Sequence, residues 1–218
     1  MGIKDTLKKL DRRLFDGLRR QYIDFLKSEV QGLDSLLDVG CGSDSPVKYF
    51  SDRIGRCVGV DAFQPSIDSS STKRIHGEYR LLDVLEIGKA FPDRSFDGVV
   101  ALDLIEHLPK PEGLALIAMM ERIARKKVII FTPNGFLEQR EHHGNKLQVH
   151  RSGWTTEEMR SLGYRVTGVN GWKPLRGESA NIKWRPGWLW MRISLLSQPF
   201  TRTHPRSAFA ILCIKDLK

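Results

Sequence analysis

The chain has 218 residues, 40% of them hydrophobic and 28% charged, with a formal net charge of +9 and a mean hydropathy of −0.33. That length fits one domain with a real core, and no apolar run approaches the roughly 20 residues that a membrane-spanning helix needs. Three widely spaced cysteines, Cys41, Cys57 and Cys213, form no CxxC pair, which excludes a disulfide scaffold or zinc ribbon and predicts a reducing, cytoplasmic setting.

From the start, the segment MGIKDTLKKLDRRLF mixes cations with acids and lacks the apolar stretch of a secretory signal. Ile3, Leu7, Leu10, Leu14, Leu18, Tyr22, Phe25 and Leu26 recur in steps of three and four, predicting an amphipathic helix over 3–30. SLLDVG (35–40) then reads as a buried strand, SPVKYFSDRIG (45–55) as a short helix, and CVGVDAF (57–63) as a second strand. YRLLDVL (79–85), FDGVVALDLI (96–105) and KVIIFTPN (127–134) supply three more strands, with a helix over 111–126 before the last. TTEEMRSLG (155–163) is a helix with Thr at its start and Gly past its end. Strands at 164–171 and 207–216 make seven, separated by a long insertion, 172–206. Strand alternating with helix, on near-continuous apolar strands, predicts an α/β fold with a mostly parallel sheet.

Charge is unevenly placed. Residues 31–139 hold 13 Lys/Arg against 16 Asp/Glu, whereas residues 140–218 hold 14 against 5 and all five tryptophans. The basic, Trp-rich region suits an anionic partner (a nucleic acid, a phospholipid surface or a phosphorylated substrate) or a plain solvated face. Residues 188–200 form a helix candidate with a broad apolar face broken by Arg192. Three readings stay open for it: internal packing, a lid over an acceptor pocket, or peripheral membrane contact through 184–200.

In an open parallel sheet, ligands bind beyond the carboxyl ends of the strands. There the sequence places Asp38, Gly40, Cys41 and Gly42, then Asp61, Asp83 and Asp103. The glycines permit a tight turn with close backbone approach. Asp61 suits both hydroxyls of a ribose, and Asp83 suits the amine of an adenine. A pyrophosphate would not favour a turn flanked by Asp38 and Asp44, and Ser45 stands where a dinucleotide fingerprint has its third glycine. Carboxylates fit the sulfonium and amino group of S-adenosylmethionine (SAM).

LLDVGCGSD, VGVDAF, LLDVLEI, FDGVVALDLIEHLPKPE and VIIFTPNG occur in order over residues 33–136. The set resembles the sequential motifs of class I SAM-dependent methyltransferases, in the branch that modifies small molecules and quinone-type lipids. The resemblance implies a Rossmann-like, doubly wound, mostly parallel seven-stranded sheet with an antiparallel last strand. It implies one domain over 1–218: a helical extension (1–32), a cofactor core (33–136) and an acceptor side (137–218). By position it implies that Asp38–Gly42 cradle the methionine portion and that Asp61, beside Ala62, binds ribose. Asp83 and Val84 would bind adenine, Ala101, Leu102 and Asp103 would line the methionine side, and His107 would stand near the acceptor. The family's glycine loop often has a third glycine at the position of Asp44.

Each residue also has a plainer role open to it. Asp38 could orient the loop, Asp83 could cap a helix, and Glu106-His107 could belong to a helix-start network. Cys41 reads as a space-filler, and His142, His143 and His150 as exposed loop histidines. No ligand set stands at zinc spacing, so no metal is expected. The implied activity is methyl transfer to an O or N atom of a small or lipid-linked acceptor. An RNA methyltransferase and a non-catalytic SAM-binding scaffold are the alternatives, with a dehydrogenase fourth.

Overall fold

The computed structural model describes residues 22–141, 146–177 and 180–218. Most of the expected first helix, and His142 and His143, lie outside the described residues; residues 22–29 are helical (α1). The strands are β1 (Ser35–Val39), β2 (Arg56–Asp61), β3 (Glu78–Leu81), β4 (Phe96–Leu102), β5 (Ala124–Pro133), β6 (Arg165–Trp172) and β7 (Ala208–Asp216). They form one sheet in the order β3-β2-β1-β4-β5-β7-β6. Neighbours among β1–β5 pair in parallel, and β7 runs antiparallel to both β5 and β6. The strand order reverses between β1 and β4, which is where an open α/β sheet forms its crevice.

The helices are α2 (Gln64–Thr72), α3 (Ile87–Ala90), α4 (Lys110–Ile123), α5 (Thr156–Ser161), α6 (Gly187–Leu196) and α7 (Gln198–Thr203). The period of two along each strand splits the core into two layers. Leu37, Val39, Val99, Ala101, Val128 and Ile130 face α4 through Leu116, Ile117, Met120 and Ile123. Leu36, Val100, Ile129, Phe131 and Leu212 face the opposite way, against Leu26, Val30, Val47 and Phe50. Both faces are covered, so strands β1 and β4 are buried at every residue.

Three local features depart from expectation. Residues 45–55 are two 3-10 turns, Pro46–Tyr49 and Ser51–Arg53, in place of one helix. Phe50 between them has φ −154° and ψ 0°, off the helical path, while its ring is buried. Helix α2 was not anticipated: QPSIDSSST is rich in poor helix formers and buries only Ile67 and Ser70, so no apolar period marks it. Helix α4 stops at Ile123, because Ala124–Lys126 already belong to β5, where Arg125 and Lys126 each hold Asp97 at 2.9 Å.

Helix α5 has the expected Thr155 cap as a full capping box with Glu158, and Gly163 follows it at φ +87°. The insertion folds as two short helices broken at Ser197 and packs on β6, the edge strand. Gln198 accepts from Gly171 N–H and donates to the Gly168 carbonyl, both at 2.9 Å. Gly168 permits that approach, since a Cβ there would lie 2.0 Å from the Thr201 carbonyl oxygen.

Candidate functional site

A cleft of about 820 Å3 opens at the carboxyl ends of β1, β2 and β4. Its floor is the turn after β1, where Gly40 (φ +68°) and Gly42 (φ +56°) adopt the left-handed conformation that glycine takes without strain. A side chain at Gly40 would also strike Leu104, whose Cδ1 lies 2.6 Å from the place of a Cβ. Asp44, at the family's third glycine position, is tethered by Lys48 at 2.6 Å and Lys73 at 3.0 Å. The turn is thus held without that glycine.

Of the residues expected from sequence, Gly40, Cys41, Gly42, Asp61, Ala62, Asp83, Val84, Leu102, Asp103 and His107 all line the cleft. Asp61 is fixed from two sides: Gly42 N–H donates to Oδ2 at 2.9 Å and Phe63 N–H to Oδ1 at 2.8 Å. Burial raises its carboxyl above the usual range, and those two N–H groups oppose the rise. Asp83 is exposed to the cleft and also caps the next turn, accepting from Leu85 N–H at 2.9 Å. The cap reading and the cleft reading hold together. Asp103 opens into the cleft at φ +55°, a strained backbone for a non-glycine residue, with its N–H bonded to the Phe131 carbonyl at 2.9 Å. Surrounding protein raises its carboxyl too. The Cys41 thiol is pushed far up by burial and by Asp38 and Asp61, which disfavours the nucleophilic thiolate.

Two expected contacts are corrected. Ala101 is fully buried within β4, and Asp38 is 1% exposed; neither lines the cleft. Asp38 points behind the glycine turn, where Oδ2 accepts from Ser45 Oγ at 2.6 Å and lies 2.8 Å from His76 Nε2. It orients the loop from below. Sequence reading missed His76, which lies 38 positions from Asp38 in an unremarkable stretch; its approach depends on how α2 returns to β3.

The far wall comes from the segment after β5: Leu147, Gln148 and Arg151 reach the cleft. The Glu106 carbonyl accepts from Arg151 N–H at 2.8 Å and Ser152 N–H at 3.0 Å, and Trp154, fully buried, donates Nε1–H to the Ile105 carbonyl at 3.2 Å. These bonds seat the segment on the 3-10 turn Ile105–His107. His150 is thereby buried beside His107, ring centroids 4.8 Å apart, and is not the exposed loop residue expected. Burial, then the neighbouring His150, lowers His107 to about 4, and burial lowers His150. No described residue of the insertion 172–206 borders the cleft.

A family model for a methyltransferase domain matches residues 37–132. Among curated relatives, the ubiquinone biosynthesis O-methyltransferase of Hahella chejuensis is 30% identical over 103 residues, covering 44% of this chain and 41% of that one. The chain therefore spans about two fifths of that relative. Among solved structures, a SAM-dependent methyltransferase from Archaeoglobus fulgidus has a TM-score of 0.58 at 19% identity, covering 95% of this chain and 94% of its own. The magnesium protoporphyrin IX methyltransferase of Synechocystis PCC 6803, with bound SAM, has a TM-score of 0.52 at 13% identity, covering 99% and 83%. The chain is thus similar to methyltransferases in two ways: a methyltransferase-domain match over residues 37–132, under half of its length, and a shared fold over 95% of it.

Proposed function

We propose that this chain moves a methyl group from SAM to an oxygen or nitrogen atom of a small or lipid-linked acceptor. The observation that carries the reading is Asp61, a doubly held carboxylate at the end of β2 on the wall of the cleft. In this reading Asp61 accepts hydrogen bonds from the ribose hydroxyls, with Ala62 beside them. Asp83 and the backbone of Val84 receive the adenine. The Gly40–Gly42 turn lies against the methionine portion, with Leu102 and the Asp103 carboxylate at its amino end.

The acceptor then enters between His107 and the wall of Leu147, Gln148 and Arg151. Its lone pair attacks the methyl carbon in line, the C–S bond electrons pass to sulfur, and S-adenosylhomocysteine leaves. An O–H or N–H acceptor also gives up its proton. The sulfonium is already a good leaving group, so the protein's work is alignment and exclusion of water. His107, held near 4, is neutral at pH 7 and a weak base. It positions the acceptor more than it deprotonates it.

The likeness to a ubiquinone O-methyltransferase supports an oxygen atom on a lipid-linked molecule. So does the outer face of the insertion, where Trp184, Trp188, Leu196 and Phe200 are 54%, 56%, 75% and 57% exposed beside Arg185 and Arg192. That face supports peripheral contact with an anionic lipid surface. Among the described residues no helix is long and apolar enough to cross a membrane. An RNA acceptor is less favoured, because Arg151 is the one Lys or Arg on the described cleft wall.

Calorimetry with SAM and S-adenosylhomocysteine, with NAD as control, tests the reading. Both adenosyl ligands should bind in the micromolar range, and Asp61→Ala should weaken them by at least about 100-fold, the low end of the cost of two hydrogen bonds to a charged group. No binding by the folded chain, or unchanged affinity in the variant, overturns it.

A further inference from the structure

Charge along the cleft is lopsided. Asp44, Asp61, Asp83, Asp103 and Glu112 line it, and Arg151 is the one Lys or Arg among its described lining residues. An acidic wall suits a cationic ligand, and a sulfonium that also carries an ammonium group needs no cation from the protein. A guanidinium in the same wall does the opposite: it draws an anion into a cleft that otherwise repels one.

Arg151 is held in place by its backbone. Its N–H donates to the Glu106 carbonyl at 2.8 Å, as does Ser152 N–H at 3.0 Å, and Ser152 Oγ donates to the Ile105 carbonyl at 3.3 Å. The residue is exposed, and among the described residues its guanidinium has no ion-pair or hydrogen-bond partner. Asp44, by contrast, already has Lys48 and Lys73. A fixed stem therefore carries a planar fork of five unclaimed N–H donors on the wall assigned to the acceptor.

We infer that Arg151 anchors a carboxylate carried by the acceptor, which makes that acceptor a monoanion at neutral pH. The inference rests on the methyltransferase reading above and names its substrate class. The fork of Arg matches the two oxygens of a carboxylate, with two parallel N–H bonds. A phosphate monoester also fits a fork, but it is close to a dianion at neutral pH. Its second charge would stand in a cleft lined by five carboxyl groups with one cation to offset it, so a single negative charge is the better match. With both carboxylate oxygens tied to the fork, their lone pairs are engaged, and the methylated atom is a different one. The anchored group sets the distance and angle of that atom to the methyl carbon.

The test uses the full chain saturated with S-adenosylhomocysteine and three probes of one shape: 2-naphthoate, neutral 2-naphthamide and 2-naphthyl phosphate. In calorimetry, 2-naphthoate should bind at least about 10-fold tighter than 2-naphthamide, the worth of one charge-assisted hydrogen bond, and tighter than the phosphate. Arg151→Gln should erase that preference and leave S-adenosylhomocysteine affinity unchanged. The replacement alters an exposed side chain and keeps the backbone bonds that seat the loop. Equal binding of naphthoate and naphthamide, binding of neither, or a preference that survives in the variant overturns the anchor. Tightest binding of the phosphate overturns the carboxylate. A fall in S-adenosylhomocysteine affinity in the variant assigns Arg151 to the cofactor's own carboxylate and overturns the inference too. Repeating the naphthoate titration without S-adenosylhomocysteine separates the two readings. Cofactor binding without naphthoate selectivity sinks this inference alone, whereas selectivity with no cofactor binding sinks the methyltransferase reading and leaves Arg151 an anion site.

Discussion

The sheet is built on two different plans. From β1 to β5 the strands are parallel and lie in a mildly acidic stretch, all but the exposed edge strand β3 are largely buried, and their carboxyl ends deliver Asp61, Asp83 and Asp103 to one cleft. From residue 134 onward the chain is basic and aromatic, pairs antiparallel, and turns its insertion away from that cleft. Among the described residues of this second half, only the 147–151 segment reaches the cleft wall, seated there by backbone bonds to Glu106 and by the buried Trp154. The difference teaches that the parallel half forms most of the cleft by itself, while the second half reaches it, among the described residues, through one docked loop.

The sharpest way to break the first plan is Asp38→Ala. It strands Ser45 and His76, both buried, without their acceptor, and should cost about 3 kcal/mol or more in urea unfolding. A near-wild-type midpoint would mean that the glycine turn is held some other way. The matching test of the second plan is Gly168→Ala, whose Cβ meets the Thr201 carbonyl and must displace α7. A loss of about 1–3 kcal/mol with unchanged SAM affinity is expected. Weakened SAM binding would show that the halves are coupled after all.

pH sharpens the contrast further. In the proposed reading Asp61 accepts from both ribose hydroxyls, most strongly when ionised, and burial raises its carboxyl above the ordinary aspartate range. SAM affinity, measured by calorimetry, should therefore be full at neutral pH and fall with acidification, beginning at a higher pH than an exposed aspartate would give. Asp61→Asn should flatten that dependence; an identical acid slope in the variant would assign the titration elsewhere. The smallest effect on the fold belongs to Leu196→Glu, at 75% exposure. Stability should change by no more than about 0.5 kcal/mol and SAM affinity not at all, while partition onto anionic vesicles should drop severalfold. Unchanged partition would make the aromatic face plain surface.

Much of the first half was readable in the residues themselves. Apolar runs such as LLDV and GVVAL fit strands buried on both faces, and a glycine turn followed by spaced carboxylates announces a ligand edge. Helix α2 was not readable, because its serines carry no apolar period, and neither was the pair of 3-10 turns that Phe50 imposes. Within the site, the ladder Asp61, Asp83, Asp103 was legible because each follows its own strand. The inward turn of Asp38 was not, because strand-end position does not say which way a side chain faces.

The strands, the crevice at their carboxyl ends and the carboxylates that border it therefore came from the sequence alone, since they depend on local period and on turn chemistry. Tertiary structure alone decided that His150, 43 positions after His107, comes to lie beside it, that His76 supports Asp38, and that the insertion covers the β6 edge and leaves the cleft open. Those are contacts between distant segments, set by which surfaces pack best, and no local pattern encodes them.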